Sequence, residues 1–203
     1  MQAANFYHNY NRANGSDKLF LTDENYRYFV QQFKKYITPI ADVYAYCLIP
    51  NHFHFVVKIK TERELELFFK DKLNLQGFEN LGGLLSQQFS NFFNSYTKAF
   101  NKMHNRKGSL FSPNFKKKAI SEKEYLKQVI LYVHLNPIKH QITTNYELFP
   151  NASYKSMLSD KPTLVLRKAV IALFDGLDNF IYDHEQQQVK INLINELILE
   201  DED

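Results

Sequence analysis

Two histidines, His52 and His54, stand two residues apart in the apolar run Tyr46-Cys47-Leu48-Ile49-Pro50-Asn51-His52-Phe53-His54-Phe55-Val56-Val57. Alternate side chains of a strand share a face. Both imidazoles therefore point one way, while Phe53, Phe55 and Val57 point the other way into a core. Two nitrogen donors side by side on a rigid strand suit a divalent metal, although a half-exposed histidine pair on a sheet face is also compatible with no ligand. Farther along, Tyr132 and Asn136 lie four residues apart in a segment of helical periodicity, which stacks them one turn apart on one edge. A phenolate is a nucleophile, but a tyrosine hydroxyl titrates near pH 10, so it needs help at neutral pH. A boundary tyrosine with a wet hydroxyl is the ordinary alternative. The one cysteine, Cys47, sits in the apolar run and reads as a buried, inert thiol.

The elements that must position these residues follow from periodicity and punctuation. Residues 5–12 alternate loosely and end in the turn cluster Ala13-Asn14-Gly15-Ser16, predicting a strand and a loop. Thr22 caps a helix carrying Tyr26, Phe29, Val30, Phe33 and Ile37 at helical spacing, with Pro39 ending it. Strands are expected over 41–48 and 52–59, joined by Pro50-Asn51. A polar, poorly patterned connection covers 60–79. Then comes a strong helix with Leu81, Leu84, Leu85, Phe89, Phe92, Phe93, Tyr96 and Phe100 on one stripe. Its other face shows Gln87, Asn91, Asn94, Lys98 and Lys102. Phe115 to Ile120 is a short strand. Ser121 and Glu124 form a Ser-x-x-Glu capping box for the helix that holds Tyr132, with His134 far round the cylinder and Pro137 as its stop. Residues 145–159 return, and the tail from 160 reads as short amphipathic helices around Val170, Leu173, Phe174, Leu177 and Phe180. The order predicts an α+β fold, a ferredoxin-like antiparallel sheet with helices on one face plus a C-terminal helical extension, in two parts: 1–159 and 160–203.

Charge is segregated along the chain. Residues 160–203 carry ten acids against four bases, while the first 159 carry 21 bases and 12 acids. Between Glu79 and Glu122 there is no acid, yet Lys98, Lys102, Arg106, Lys107, Lys116, Lys117 and Lys118 all fall there. Such a stretch favours a polyanionic partner, nucleic acid first, over a merely solvated face. No run approaches the roughly 18 apolar residues of a membrane span, and the N-terminus lacks a signal-peptide layout, so a cytoplasmic setting without a membrane partner is expected.

Five segments together resemble one family, the single-tyrosine HUH transposases, and within it the REP-associated tyrosine transposases. They are Tyr10-Asn11-Arg12, the run from Tyr46 to His54, Arg106-Lys107-Gly108-Ser109-Leu110-Phe111, the run from Tyr132 to Lys139, and Phe149-Pro150-Asn151-Ala152-Ser153-Tyr154. The resemblance implies that His52, His54 and Asn136 hold Mg²⁺ or Mn²⁺ and that Tyr132 is the nucleophile. The substrate it implies is single-stranded DNA beside a hairpin, cut and rejoined through a 5′-phosphotyrosine, by a monomer or a homodimer. Arg12 and the seven basic residues of the acid-free stretch are the expected DNA contacts. Where relatives often carry arginines after Gly-Ser-Leu-Phe, this chain has Lys116 to Lys118, which keep charge and lose bidentate phosphate geometry. A nucleic-acid-binding module of the same fold without turnover remains an alternative. A metal-dependent hydrolase using water is a third reading, one that Tyr132→Phe would barely affect.

Overall fold

The computed structural model describes residues 1–73, 81–113 and 115–200. Four strands, β1 (Phe6–Arg12), β2 (Ala41–Ile49), β3 (His52–Ile59) and β4 (Lys116–Ile120), form one sheet in the order β2-β3-β1-β4. Every neighbouring pair is antiparallel, and this is the ferredoxin-like order. Helices α1 (Asp23–Tyr36) and α3 (Leu81–Met103) make the two crossovers. Their aromatic stripes meet Phe53 and Phe55 on one face of β3: Phe33 stacks on Phe55 with centroids 3.8 Å apart, and Phe29 lies 5.2 Å from Phe53. Thr22 stands at the α1 N-cap as expected, and Asn25 Oδ1 accepts from the Thr22 and Leu21 backbone N–H groups. Pro50 and Asn51 link β2 to β3, and their carbonyls accept from Leu19 and Ala13 N–H, which pins the hairpin beside His52.

The opposite face of β3 is also covered. Helix α4 (Lys123–Lys139) lies there against β2 and β3, so the sheet has helices on both faces and not on one. The reason is visible in β3, whose interior is buried on both sides, as a strand between two layers must be. Helix α4 starts at Lys123 with Glu122 as its N-cap, so the Ser121/Glu124 capping box does not form. Nor does Pro137 stop it: the helix runs through Pro137 to Lys139. A proline so near the C-terminus forfeits one ladder hydrogen bond, and burial of Val133, Leu135, Pro137 and Ile138 outweighs that loss.

The connection after β3 contains a helix, α2 (Glu62–Leu73), that its polar composition hid; residues 74–80 lie outside the described residues. The return segment pairs with the β2 edge, where Leu48 N–H donates to Asn151 O and Ser153 N–H to Tyr46 O. Beyond it come α5 (Tyr154–Met157), α6 (Arg167–Leu173) and a long α7 (Leu177–Glu200) in place of a row of short helices. Val170, Phe174 and Phe180 are buried in the same core as the sheet, and α7 packs on α4. The acids Asp201, Glu202 and Asp203 lie outside the described residues.

Candidate active site

Strand pairing gathers the chemistry-bearing residues on the sheet face beneath α4. Tyr10 is opposite both His54 and Lys116, Arg12 is opposite His52, and His8 is opposite Lys118. Because side chains alternate, His8, Tyr10 and Arg12 of β1, His52 and His54 of β3, and Lys116 and Lys118 of β4 share that face. Helix α4 brings Tyr132 down upon it. The Tyr132 ring lies 5.5 Å from the His54 ring, edge-on at 90°, and 5.9 Å from His8. Asn136, one turn on, is buried, and its Oδ1 is 3.0 Å from His52 Nε2. A cavity of about 820 Å³ opens here, bordered by Tyr10, Arg12, His52, His54, Lys116 and Tyr132.

The imidazoles are held neutral. Burial pushes His52 down to about 4, helped by His140, and His8 down to about 4, helped by Lys118. Burial first, and then the neighbouring His8 and His52, holds His54 well below the ordinary histidine range. A neutral imidazole carries one N–H. His52 Nδ1 is 2.8 Å from Asn51 Oδ1 and its Nε2 is 3.0 Å from Asn136 Oδ1; both oxygens only accept, so the neutral ring donates to one of them and turns a lone pair toward the other. Asn136 Nδ2 is buried with no partner among the described residues. His54 Nδ1 shares a proton with His8 Nε2 at 2.9 Å, and His54 Nε2 is buried with no partner among the described residues.

This donor set fits a divalent cation. His52 Nε2 and Asn136 Oδ1 stand 3.0 Å apart, the spacing of adjacent ligands about 2.1 Å from a small divalent ion, and the His54 ring, with its buried, unpartnered Nε2, lies 5.1 Å from the His52 ring. His8 supplies the second hydrogen bond that a ligating imidazole ordinarily makes. No group of three or more His, Cys, Asp or Glu is placed to hold a metal among the described residues, so a metal here relies on the carboxamide.

The expected DNA contacts fall into four groups. Arg12 and Lys116 border the large cavity, and Lys118 borders a smaller one beyond Tyr132. Lys117 alternates away from them, and exposed Lys107 lies in the turn after α3. Lys98 and Lys102 are exposed on α3, the helix that packs on the other sheet face. Arg106 is engaged within the chain: its guanidinium pairs with Asp17 and donates to Asn101 Oδ1 at 3.1 Å and Ser109 O at 2.8 Å, tying the loop after β1 to the turn after α3.

Four neighbours of the site were given no role from the sequence, although Tyr10 and Lys139 stand within segments that carry the resemblance: His8, Tyr10, Lys139 and His140. The Lys139 ammonium lies 4.9 Å from the Tyr132 ring centroid, and the His140 ring is 4.6 Å from that of His52. Lys139 follows Tyr132 by two helical turns, a spacing that could have flagged it. His8 and Tyr10 alternate with Arg12, but only the register of β1 on β3 shows which face they join.

No family model matches the chain, and no curated protein matches it in sequence. Among solved structures, the fold is similar to that of a REP-associated tyrosine transposase bound to a REP hairpin, with 14% identity over 79% of this chain and 84% of that one and a TM-score of 0.54. At that identity the likeness establishes a shared α+β fold. No helix among the described residues is long and apolar enough to cross a membrane.

Proposed function

We propose that this protein is a single-tyrosine transposase that nicks and rejoins single-stranded DNA beside a hairpin. The observation that carries the reading is that Tyr132, His52 and His54 border one cavity within one chain, with Asn136 Oδ1 3.0 Å from His52 Nε2 and His54 Nε2 buried without a partner among the described residues. The DNA hairpin bound by the structural neighbour supports the partner class. In the forward step Tyr132 Oη loses its proton to water and forms a bond to the scissile phosphorus. The P–O3′ bond breaks, and the departing oxygen takes up a proton as a free 3′-hydroxyl. The downstream strand stays on the protein as a 5′-phosphotyrosine, and reversal by another 3′-hydroxyl rejoins DNA.

Each residue has a part in this chemistry. Arg12 and Lys116 hold the strand's phosphates across the cavity mouth. Lys139, whose ammonium lies 4.9 Å from the Tyr132 ring centroid, sets a positive charge beside the side chain that meets the phosphate. Mg²⁺ or Mn²⁺ held by His52, His54 and Asn136 supplies Lewis-acid polarisation of the phosphodiester when bound. Because Tyr132 and Asn136 are one turn apart on α4, one rigid element aims both, and no helix from a second copy is needed.

Incubation of labelled hairpin DNA carrying single-stranded flanks with protein and Mn²⁺ yields an SDS-resistant adduct that Tyr132→Phe abolishes. An adduct that persists in Tyr132→Phe removes that residue from the role. Binding without any adduct in the wild type leaves a nucleic-acid-binding module of this fold.

A further inference from the structure

Tyr132 separates two cavities. Beyond it from the large one lies a second, of about 420 Å³, which shares Tyr10, His54 and Tyr132 with the first. Its remaining border has a different character: the Tyr125 ring, the Gln128 carboxamide, apolar Val129, Lys118 and His8. Tyr125, Gln128 and Tyr132 follow one another at spacings of three and four residues on α4, so they form a continuous edge. The Lys118 ammonium is 5.1 Å from the Tyr125 ring centroid.

A strand whose phosphodiester lies at Tyr132 must continue on both sides of it. The first cavity takes one side, and the geometry points to the second as the pocket for the nucleotide on the other side of the scissile phosphate. We therefore infer that this base stacks on Tyr125, that Gln128 reads its edge, and that Lys118 meets its phosphate. Aromatic rings hold single-stranded bases by stacking that is tolerant of sequence, whereas a carboxamide, with one acceptor and two donors, distinguishes one base edge from another. Tyr125 would thus give affinity and Gln128 selectivity. The inference rests on the proposed nicking activity and adds to it a subsite that sets which junction is cut.

The test uses the full chain and a library of DNA hairpins with randomised single-stranded flanks, incubated with Mn²⁺. Adducts are captured and sequenced for wild type, Gln128→Ala and Tyr125→Ala; both residues are exposed, so folding is retained. The wild type is expected to prefer one base at least about fivefold at one of the two positions bordering the cut, and Gln128→Ala to flatten that preference below about twofold. Tyr125→Ala is expected to raise KM about tenfold for every base there, as does an abasic residue at the same position in the wild type, with no further rise when the two are combined. An unchanged base profile in Gln128→Ala, or additive effects of Tyr125→Ala and the abasic site, overturns the subsite while leaving nicking intact. Absence of any wild-type adduct overturns the nicking activity and the subsite with it.

Discussion

His8 shows how a buried side chain can set the state of its neighbour. It is buried and neutral, and its Nε2 lies 2.9 Å from His54 Nδ1. If His54 donates through Nδ1, its Nε2 is left as a bare lone pair, the form a metal requires. His8→Leu removes the acceptor, so Mn²⁺ affinity measured by calorimetry without DNA should fall about 10- to 100-fold. His8→Gln should recover most of it, because Oε1 can still accept. Equal affinity in wild type and both variants would deny His8 this role. At this scale the sequence was informative where chemistry coincided with local periodicity: His52, His54, Tyr132 and Asn136 could all be picked from spacing or resemblance. His8 could not, and Tyr10 stood only inside a motif without a role, because the pairing of β1 with β3 is a long-range choice that no local pattern records. Arg106 shows the converse limit, since its role in tying two loops together depends on Asp17, 89 residues away.

At the scale of elements, α4 is the part on which the site depends, and a chain of hydrogen bonds fixes it on both sides. His184 Nδ1 donates to Phe180 O at 2.7 Å, so its Nε2 must accept from His134 Nδ1 at 2.9 Å. His134 Nε2 then accepts from Ser153 Oγ at 2.7 Å, and Ser153 Oγ accepts from Tyr46 N–H at 2.8 Å. One proton order satisfies every member from the sheet to α7. His184→Leu orphans His134 Nδ1–H, and should lower the urea unfolding free energy by about 1–3 kcal/mol at neutral pH.

The same pair makes stability fall in acid. Burial holds His184 at about 4 in the fold against 6.5 for a free histidine, so between those values the unfolded chain binds the extra proton. Stability is therefore whole above about pH 6.5 and drops as pH falls toward 4, by up to about 1.4 kcal/mol per pH unit for each such imidazole. Urea melts across that window should show the decline in wild type and a shallower one in His184→Leu; identical slopes would contradict the assignment. This chain also explains why the sequence misled about α4. The C-terminal half of α4, enclosed by the sheet and α7, is buried on more than one side, so His134 looked like the far side of an amphipathic cylinder and is in fact buried. The aromatic stripe of α3, facing one layer only, was legible from spacing alone.

For the whole molecule, the strand order, the crossovers and the basic character of the site face agree with one another. The strand and helix sequence was enough to predict the antiparallel ferredoxin-like sheet, because alternation and helical stripes are local. It could not show that α4 and the acidic C-terminal helices close the second face, since their burial depends on contacts made late in the chain. The charge segregation places Lys116, Lys118 and Arg12 around the cavities, whereas Lys98 and Lys102 decorate the far layer. Three tyrosines, Tyr10, Tyr125 and Tyr132, border the two cavities, so the account stands on which phenol is joined to DNA. The direct measurement is to trap the adduct with Mn²⁺, digest DNA and protein, and locate the nucleotide-bearing residue by mass spectrometry. The account predicts a 5′-phosphate ester on Tyr132 alone; a nucleotide on Tyr10 or Tyr125, with Tyr132 unmodified, would contradict it.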